Sequence, residues 1–213
     1  MTSAVDPRFE GVYGPYTITA SDRQDVQRYR VALLISGLAF TAGLSQWWSV
    51  GGEWAWVWLV PLCAGLGVAL QTIHIYLRPL HRLLQLFWLM GCLGWISVLT
   101  LTGPTQSLNQ VAEHPLWILA IGPLFAAMAG IGFKEFFCFR RVEAIGLTLL
   151  LPIALLGRLL QWIHPAACLG LLLTSAGLLV VLALRKFGND AAADVGDKSV
   201  FAYLDSQVSA DAP

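Results

Sequence analysis

The chain has 213 residues, of which 57% are hydrophobic and only 12% charged. Soluble domains carry roughly 25% charged residues, so this composition cannot clothe a water-facing globule and points to a membrane protein. Lysines and arginines balance aspartates and glutamates at 13 each, which removes any net pull toward nucleic acid and makes the placement of charge the informative quantity.

Residues 1–30 form a polar N-terminal segment, expected on the cytoplasmic side, without the basic start and short apolar core of a signal peptide. The first membrane helix is then expected to double as the insertion signal. Within this segment "GVYGPYTIT" reads as a turn around Gly14 and Pro15 followed by a short extended piece. "SDRQ" from Ser21 to Gln24 has the spacing of a capping box, so a helix is expected to start near Asp22.

A bilayer-crossing helix takes about 20 mostly apolar residues. Such runs occur at Val31–Val50, Trp54–Leu77, Leu83–Thr102, Pro115–Phe133, Ala144–Ile163 and Ala166–Leu184. They are continuous rather than alternating, and an open sheet edge cannot survive in lipid, so the expected class is all-α: a six-helix bundle over residues 31–187. The basic residues set its orientation. Arg8, Arg23, Arg28 and Arg30 precede the first run; Arg78 and Arg82 lie between the second and third; Lys134, Arg140 and Arg141 lie between the fourth and fifth; Arg185, Lys186 and Lys198 follow the sixth. The other connections carry none. Both termini are therefore expected on the cytoplasmic side, and five or seven spans would scatter this charge over both sides.

Trp47, Trp48, Trp54, Trp56 and Trp58 crowd the first outer turn, and Trp117 and Trp162 mark two further outer ends. This is the pattern of an interfacial aromatic belt. Pro61, Pro123 and Pro152 fall inside spans, where each removes a backbone hydrogen bond and bends the helix. Ala39 with Gly43, Ala126 with Gly130, and Ala166 with Gly170 have the small-residue spacing of helix contacts. Residues 188–213, rich in Asp, Ala and Ser, read as a disordered acidic tail.

The candidate functional residues are few. His74, Arg78, His81 and Arg82 cluster at the inner end of the second span, with His74 and Arg78 one helical turn apart. An imidazole there suits a haem or chlorophyll metal, but a paired ligand at equal depth is missing, since His114 and His164 fall on the other side. No cofactor or metal is therefore expected, with haem or chlorophyll left open by the histidines alone. Arg158 is the one basic residue inside a span, suited either to an anion paired with Glu53 or Glu113 or to snorkelling outward.

"GFKEFFCFRR", residues 132–141, reads as a basic aromatic interfacial segment, with Phe133, Phe136, Phe137 and Arg140 on one face and Lys134, Cys138 and Arg141 on another. Lys134 and Glu135 are adjacent and are not expected to face each other; Glu135 is expected to pair with Arg78, Arg82, Arg28 or Arg30. Cys138 has basic neighbours but no base beside it, so nucleophilic catalysis is not expected. The cysteines at 63, 92, 138 and 168 form no C-x-x-C pair, and the chain has no phosphate-binding loop, H-E-x-x-H or nucleophile elbow.

"EGVYGPYTITASDRQDVQRYRVALL" and "GIGFKEFFCFRRVEA" resemble the recurrent stretches of an uncharacterised integral membrane protein family, a domain of unknown function found mainly in cyanobacteria. The resemblance spans about Phe9 to Phe187. It implies a bacterial plasma or thylakoid membrane and no catalytic residues. Three functional classes follow: a non-catalytic accessory or assembly factor for a membrane complex, docking through residues 132–141 and the N-terminal region; a small-solute or ion transporter; or a haem- or pigment-binding protein. The first asks least of this sequence and is the expectation. Its partners are the lipid bilayer and a membrane protein complex, with no nucleic acid.

Overall fold

A computed structural model describes residues 6–210. The chain opens with an antiparallel hairpin, β1 (Arg8–Gly11) and β2 (Gly14–Thr17), in which Arg8 faces Thr17 and Gly11 faces Gly14. The turn falls on Val12 and Tyr13, two residues earlier than Gly14–Pro15, because Pro15 is accommodated inside β2 opposite Glu10. Helix α1 (Ala20–Val50) follows. Its capping box uses Thr19 and Asp22 rather than Ser21 and Gln24: the Thr19 hydroxyl accepts from the Asp22 N–H, and the Asp22 carboxylate accepts from the Thr19 N–H at 2.7 Å.

A 3₁₀ turn at Ala55–Trp58 leads into α2 (Leu59–Thr72). Pro61 thus lies inside the second span but in the first turn of α2, where its missing N–H is tolerated. After an extended link at 73–77 come α3 (Arg78–Thr102), the short α4 (Ser107–Glu113), α5 (Trp117–Phe139), α6 (Val142–Leu159) and α7 (Pro165–Lys186). Pro123 and Pro152 do lie inside α5 and α6. Two small helices, α8 (Ala191–Val195) and α9 (Lys198–Ala210), end the described chain.

Six of these elements are long and apolar enough to cross a membrane, the second comprising the 3₁₀ turn with α2. They form a closed ring: α1 packs on α2 and α7, α7 on α6, α6 on α5, α5 on α3, and α3 back on α2. Phe40 of α1 and Phe125 of α5 meet across the middle at 5.5 Å. The outside is as apolar as the inside. Helix α1 buries Tyr29, Leu33 and Phe40 but exposes Val31, Ile35 and Leu38; α3 exposes Leu86, Leu89, Leu93 and Ile96. A water-facing helix carries polar residues on that stripe, so these faces are made for lipid.

Lipid tails are as apolar as leucine, so the ring is held by close packing rather than by hydrophobic transfer. The closest approach is between α3 and α5. A β-carbon at Gly91 would collide with the backbone of Leu124, and one at Gly94 with the carbonyl of Ala120. Of the small residues singled out by spacing, Gly43 does meet the Trp58 side chain and Gly130 that of Leu84, whereas a β-carbon at Gly170 would meet nothing within 4 Å.

The tail is not disordered over its described length. Asp194 and Val195 are buried, and Val195 packs with Val26 of α1 and Ile18. The Val12 N–H donates to Asp197 at 2.7 Å, the Tyr13 N–H donates to Ser199 at 3.0 Å, and Lys198 pairs with Asp22 at 2.8 Å. Hairpin, tail and the start of α1 together form a cap over the end of the bundle that bears both termini. Acidic, alanine-rich composition suggested a free chain, but each of these carboxylates has a partner waiting at the other end of the sequence. Residues 211–213 of that tail lie outside the described residues.

Candidate functional site

Two features stand out, one at each end of the bundle. The first is a buried charge network beneath the cap. Glu135 of α5 is wholly buried. It accepts from the Tyr29 hydroxyl at 2.7 Å, from Lys134 Nζ at 3.1 Å and from Lys186 Nζ at 2.6 Å. Lys186 also contacts Asp194 at 2.6 Å. Asp194 in turn accepts from Arg30 Nε at 2.8 Å and Nη2 at 2.6 Å, and Arg30 Nη2 reaches the carbonyls of Asn189 and Asp190 at 3.0 and 3.3 Å. The Phe139 ring faces Lys186 Nζ at 4.2 Å, and the Tyr29 ring faces it at 5.2 Å, within cation–π range. Alongside, Glu143 meets Arg185 at 3.0 Å and Arg141 at 3.5 Å, while Arg141 donates to the Asn189 side chain at 2.7 Å.

Helices α1, α5, α6, α7 and α8, with the α7–α8 connection, thus converge on interlocked ion pairs. Each charge at this depth is tolerable only because its partners replace water. In the central part, the cations Arg30, Lys134 and Lys186 face the carboxylates Glu135 and Asp194, so one positive charge is in excess.

The second feature is an apolar chamber of about 280 Å³ at the opposite end. All six spans line it, together with α4. Its wall includes Leu44, Leu62, Leu108, Ile121, Phe125 and Leu172. One charged side chain, Arg158, lies in the wall, and its Nη2 donates to the Ala112 carbonyl at 2.7 Å. Ala112 is one residue from the end of α4, where carbonyls lack helical partners and the helix dipole is negative. Arg158 therefore caps α4, and among the described residues no ion pair links it to Glu53 or Glu113. Trp95 also lines the chamber, 4% exposed, with its indole N–H buried and without an acceptor among the described residues. Around this end Trp48, Trp54 and Trp162 are exposed, as a belt requires.

Of the residues singled out by sequence, the structure gathers Lys134, Glu135 and Arg141 into the network. Residues 132–139 are not a surface segment: α5 runs on to Phe139, and the chain reverses at Arg140, whose φ is +50°. Phe133 and Phe137 face outward, Cys138 and Arg140 are exposed, and Lys134 and Glu135 turn inward. Adjacency did not keep those two apart, because the long lysine side chain curls back to its neighbour's carboxylate.

Glu135 takes Lys186 as its main partner, while Arg30, one of the partners expected for it, goes to Asp194. His74 lies in the extended link, so it shares no helical face with Arg78 at the start of α3. His81 Nε2 contacts the Leu70 carbonyl at the end of α2, with Gln85 beside it. Arg82 is exposed. Among the described residues no group of three or more His, Cys, Asp or Glu could hold a metal ion.

Tyr29, Glu143, Lys186 and Asp194 were not singled out, and Arg30 entered only as one expected partner of Glu135. Most of the signal was present in the spacing. Leu124, Met128, Ile131 and Glu135 form one buried stripe of α5, and Ala176, Leu179, Ala183 and Lys186 one of α7. A charge that continues a buried stripe at helical spacing is aimed inward.

Fold and composition define a multi-pass, all-α integral membrane protein. Residues 68–203 match the family described as "Uncharacterized integral membrane protein (DUF2301)", and the chain belongs to it. The match begins later than the resemblance read from the sequence and runs on through α8 into α9, so the tail is part of the family unit. The chain is also similar to an uncharacterized protein of Haemophilus influenzae, 26% identical over 175 residues, covering 81% of this chain and 87% of that one. That relative does not speak to a distribution mainly in cyanobacteria. No solved structure matches.

Proposed function

We propose that the protein is a membrane transporter for a small solute, with the apolar chamber as its binding cavity and the buried charge network as the gate beneath it. The observation that carries this reading is the chamber itself: every span contributes to a cavity that lies at one end and stops short of the other. Pockets between the helices of a bundle are common ligand sites, and transporters hold theirs within the membrane-spanning region. Between Phe40 at the chamber and Arg30 at the network, α1 advances ten residues, about 15 Å at its rise per residue. That interval is filled by tight packing of Leu33, Leu66, Met128, Leu147 and Leu179. Basic residues gathered at the termini end support an orientation with both termini in the cytoplasm and the chamber facing outward.

The accessory-factor reading loses part of its docking surface, since Lys134 and Glu135 are buried. The pigment reading is not favoured by the histidines, as His74 sits in the half-buried link and His81, in the first turn of α3, is engaged by the Leu70 carbonyl of α2.

Cys168 lines the chamber and offers a native probe. With Cys63, Cys92 and Cys138 replaced by alanine, a small anionic, membrane-impermeant thiol reagent, its charge received by Arg158, should label Cys168 from outside in whole cells; Cys168 is buried and its Sγ donates to the Ala154 carbonyl, so reaction requires the chamber to admit the reagent. A cysteine placed at Met128 should stay unlabelled from either side until the network is weakened by Lys186→Met, and then react from the cytoplasmic side of inverted vesicles. Failure of Cys168 to react from outside, or a Met128 position that stays inert in the weakened protein, would count against a gated pathway.

A further inference from the structure

We infer that the chamber binds a single-chain amphipathic anion, with its anionic head at Arg158 beneath α4 and its chain lying toward Phe40 and Phe125. This deepens the transport reading and rests on it only for the route by which the ligand enters. The wall is built of leucine, isoleucine, phenylalanine and tryptophan, with no carboxylate or amide side chain among the lining residues. A sugar, an amino acid or a hydrated ion would lose its hydrogen bonds to water and find none to replace them.

The polar side chains that reach the wall all carry donors. Arg158 carries five N–H groups, and its hydrogen bonding to the described residues is the single bond to the Ala112 carbonyl. Trp95 adds a buried indole N–H with no acceptor. A cation and a free donor bordering an apolar cavity are complementary to an acceptor that carries negative charge, and a carboxylate is the simplest such group. The Trp95 N–H is shut away from solvent and costs stability while unmet, and the half-buried Arg158 keeps N–H groups free to turn to an acceptor in the cavity.

Volume sets the chain length. About 280 Å³ equals roughly nine waters at their share of liquid volume of about 30 Å³. A saturated chain of about eight to ten carbons fits such a space, and the paired chains of a diacyl lipid do not. The same head-and-chain chemistry is offered by a free alkyl carboxylate or by the anionic head and single chain of a lysophospholipid.

The test is isothermal titration of the intact protein in lipid nanodiscs with decanoate, decanol, decyltrimethylammonium and a decanoyl lysophosphatidylglycerol, the last separating the lipid source from the free carboxylate. Either anion should bind with one-to-one stoichiometry, and decanol and the alkylammonium should bind about tenfold or more weaker, the loss expected for one charge-assisted hydrogen bond. Arg158→Met should remove the preference for the anion while leaving decanol binding unchanged. Because Arg158 also caps α4, Leu172→Trp is the companion variant: it fills the chamber without touching α4 and should abolish binding of every probe. Equal binding of anion and alcohol, an anion preference that survives Arg158→Met, or binding undiminished in Leu172→Trp would overturn the inference. Anion binding without outside labelling of Cys168 would leave the site standing and sink the transport reading instead.

Discussion

The two ends of this bundle handle charge in opposite ways. At the far end one arginine stands in an apolar wall with a single carbonyl to hold it. At the termini end three cations and two carboxylates are packed so tightly that two of them, Lys186 and Glu135, show no exposure at all. The difference teaches where water went. In the network each charge has been given protein partners in exchange for its hydration, which is how buried charge is normally tolerated. At the chamber the exchange is only partial: Arg158 is half-buried and holds one carbonyl, and on the reading proposed above an anionic ligand completes it.

Breaking the network should therefore have the largest effect on stability. Glu135→Ala leaves the buried Lys134 without a counter-charge and Lys186 with Asp194 alone, at a cost of about 3–5 kcal/mol. Thermal unfolding in mild detergent should show a large drop in midpoint. Glu135→Leu combined with Lys134→Met and Lys186→Met should recover much of the loss, since apolar side chains avoid the desolvation that an orphaned ion suffers, and Asp194 keeps Arg30. If the triple variant is no better than the single one, the ion pairs are not what holds α5 to α7.

Asp194→Asn attacks the same network from the cap. It weakens both the Arg30 and Lys186 contacts and should free α8 and α9 from the bundle while the spans remain folded. Limited proteolysis would then cut near Gly196 well before the parent protein is touched; equal cutting rates would show that the cap is held by other contacts. A smaller cost, about 1–3 kcal/mol for overpacking, is expected from Gly94→Ala, because the new methyl group meets the Ala120 backbone. The same change at Gly170, where a β-carbon meets nothing within 4 Å, should be silent. A matched pair of melting curves decides between them.

How much of this was legible in the sequence depends on which signal each element used. The six spans announce themselves by run length, because nothing but a membrane asks for such continuous apolar stretches. Helix α4 did not: seven residues, "SLNQVAE", bury only Ser107 and Leu108 and look like any outer loop. The tail helices were hidden for a different reason. Their stability comes from Arg30, Val26 and the hairpin, more than 150 residues away in sequence, and no local composition reports on that. The network was half visible. Glu135 was noticed as a charge out of place, but neighbour-by-neighbour reading assigned it to the surface. The buried stripe it continues would have turned it inward and pointed to Lys186 on the same grounds. The chamber was legible only as Arg158; that α4 would supply its carbonyl, and Trp95 a second donor, required the fold.

The smallest effects concern pH, and they distinguish the cap from the link that faces it. The Asp197 carboxyl is held below its ordinary value by the Ser199 hydroxyl and by the Val12 and Ser199 N–H groups. A depressed acid stabilises the folded form above its unfolded value near 3.8 and loses that contribution as pH falls through the folded one. Between pH 5 and 8 it therefore gives no pH dependence. His74 behaves otherwise. Burial pushes its imidazole below the ordinary 6.5, against the opposing pull of Asp22. The unfolded chain then takes up a proton that the folded chain refuses, so stability is whole above pH 6.5 and declines as the medium acidifies below it. Mild acid should thus loosen the link between α2 and α3 first, with the contact between hairpin and tail following only in strong acid. Hydrogen exchange resolved by segment, at pH 7.5, 5.5 and 3, reads both. His74→Gln should flatten the change between 7.5 and 5.5 without altering the one below 4, and Asp197→Asn should do the reverse. Were both segments to open together in each variant, cap and link would be one cooperative unit and the distinction drawn between them would fall.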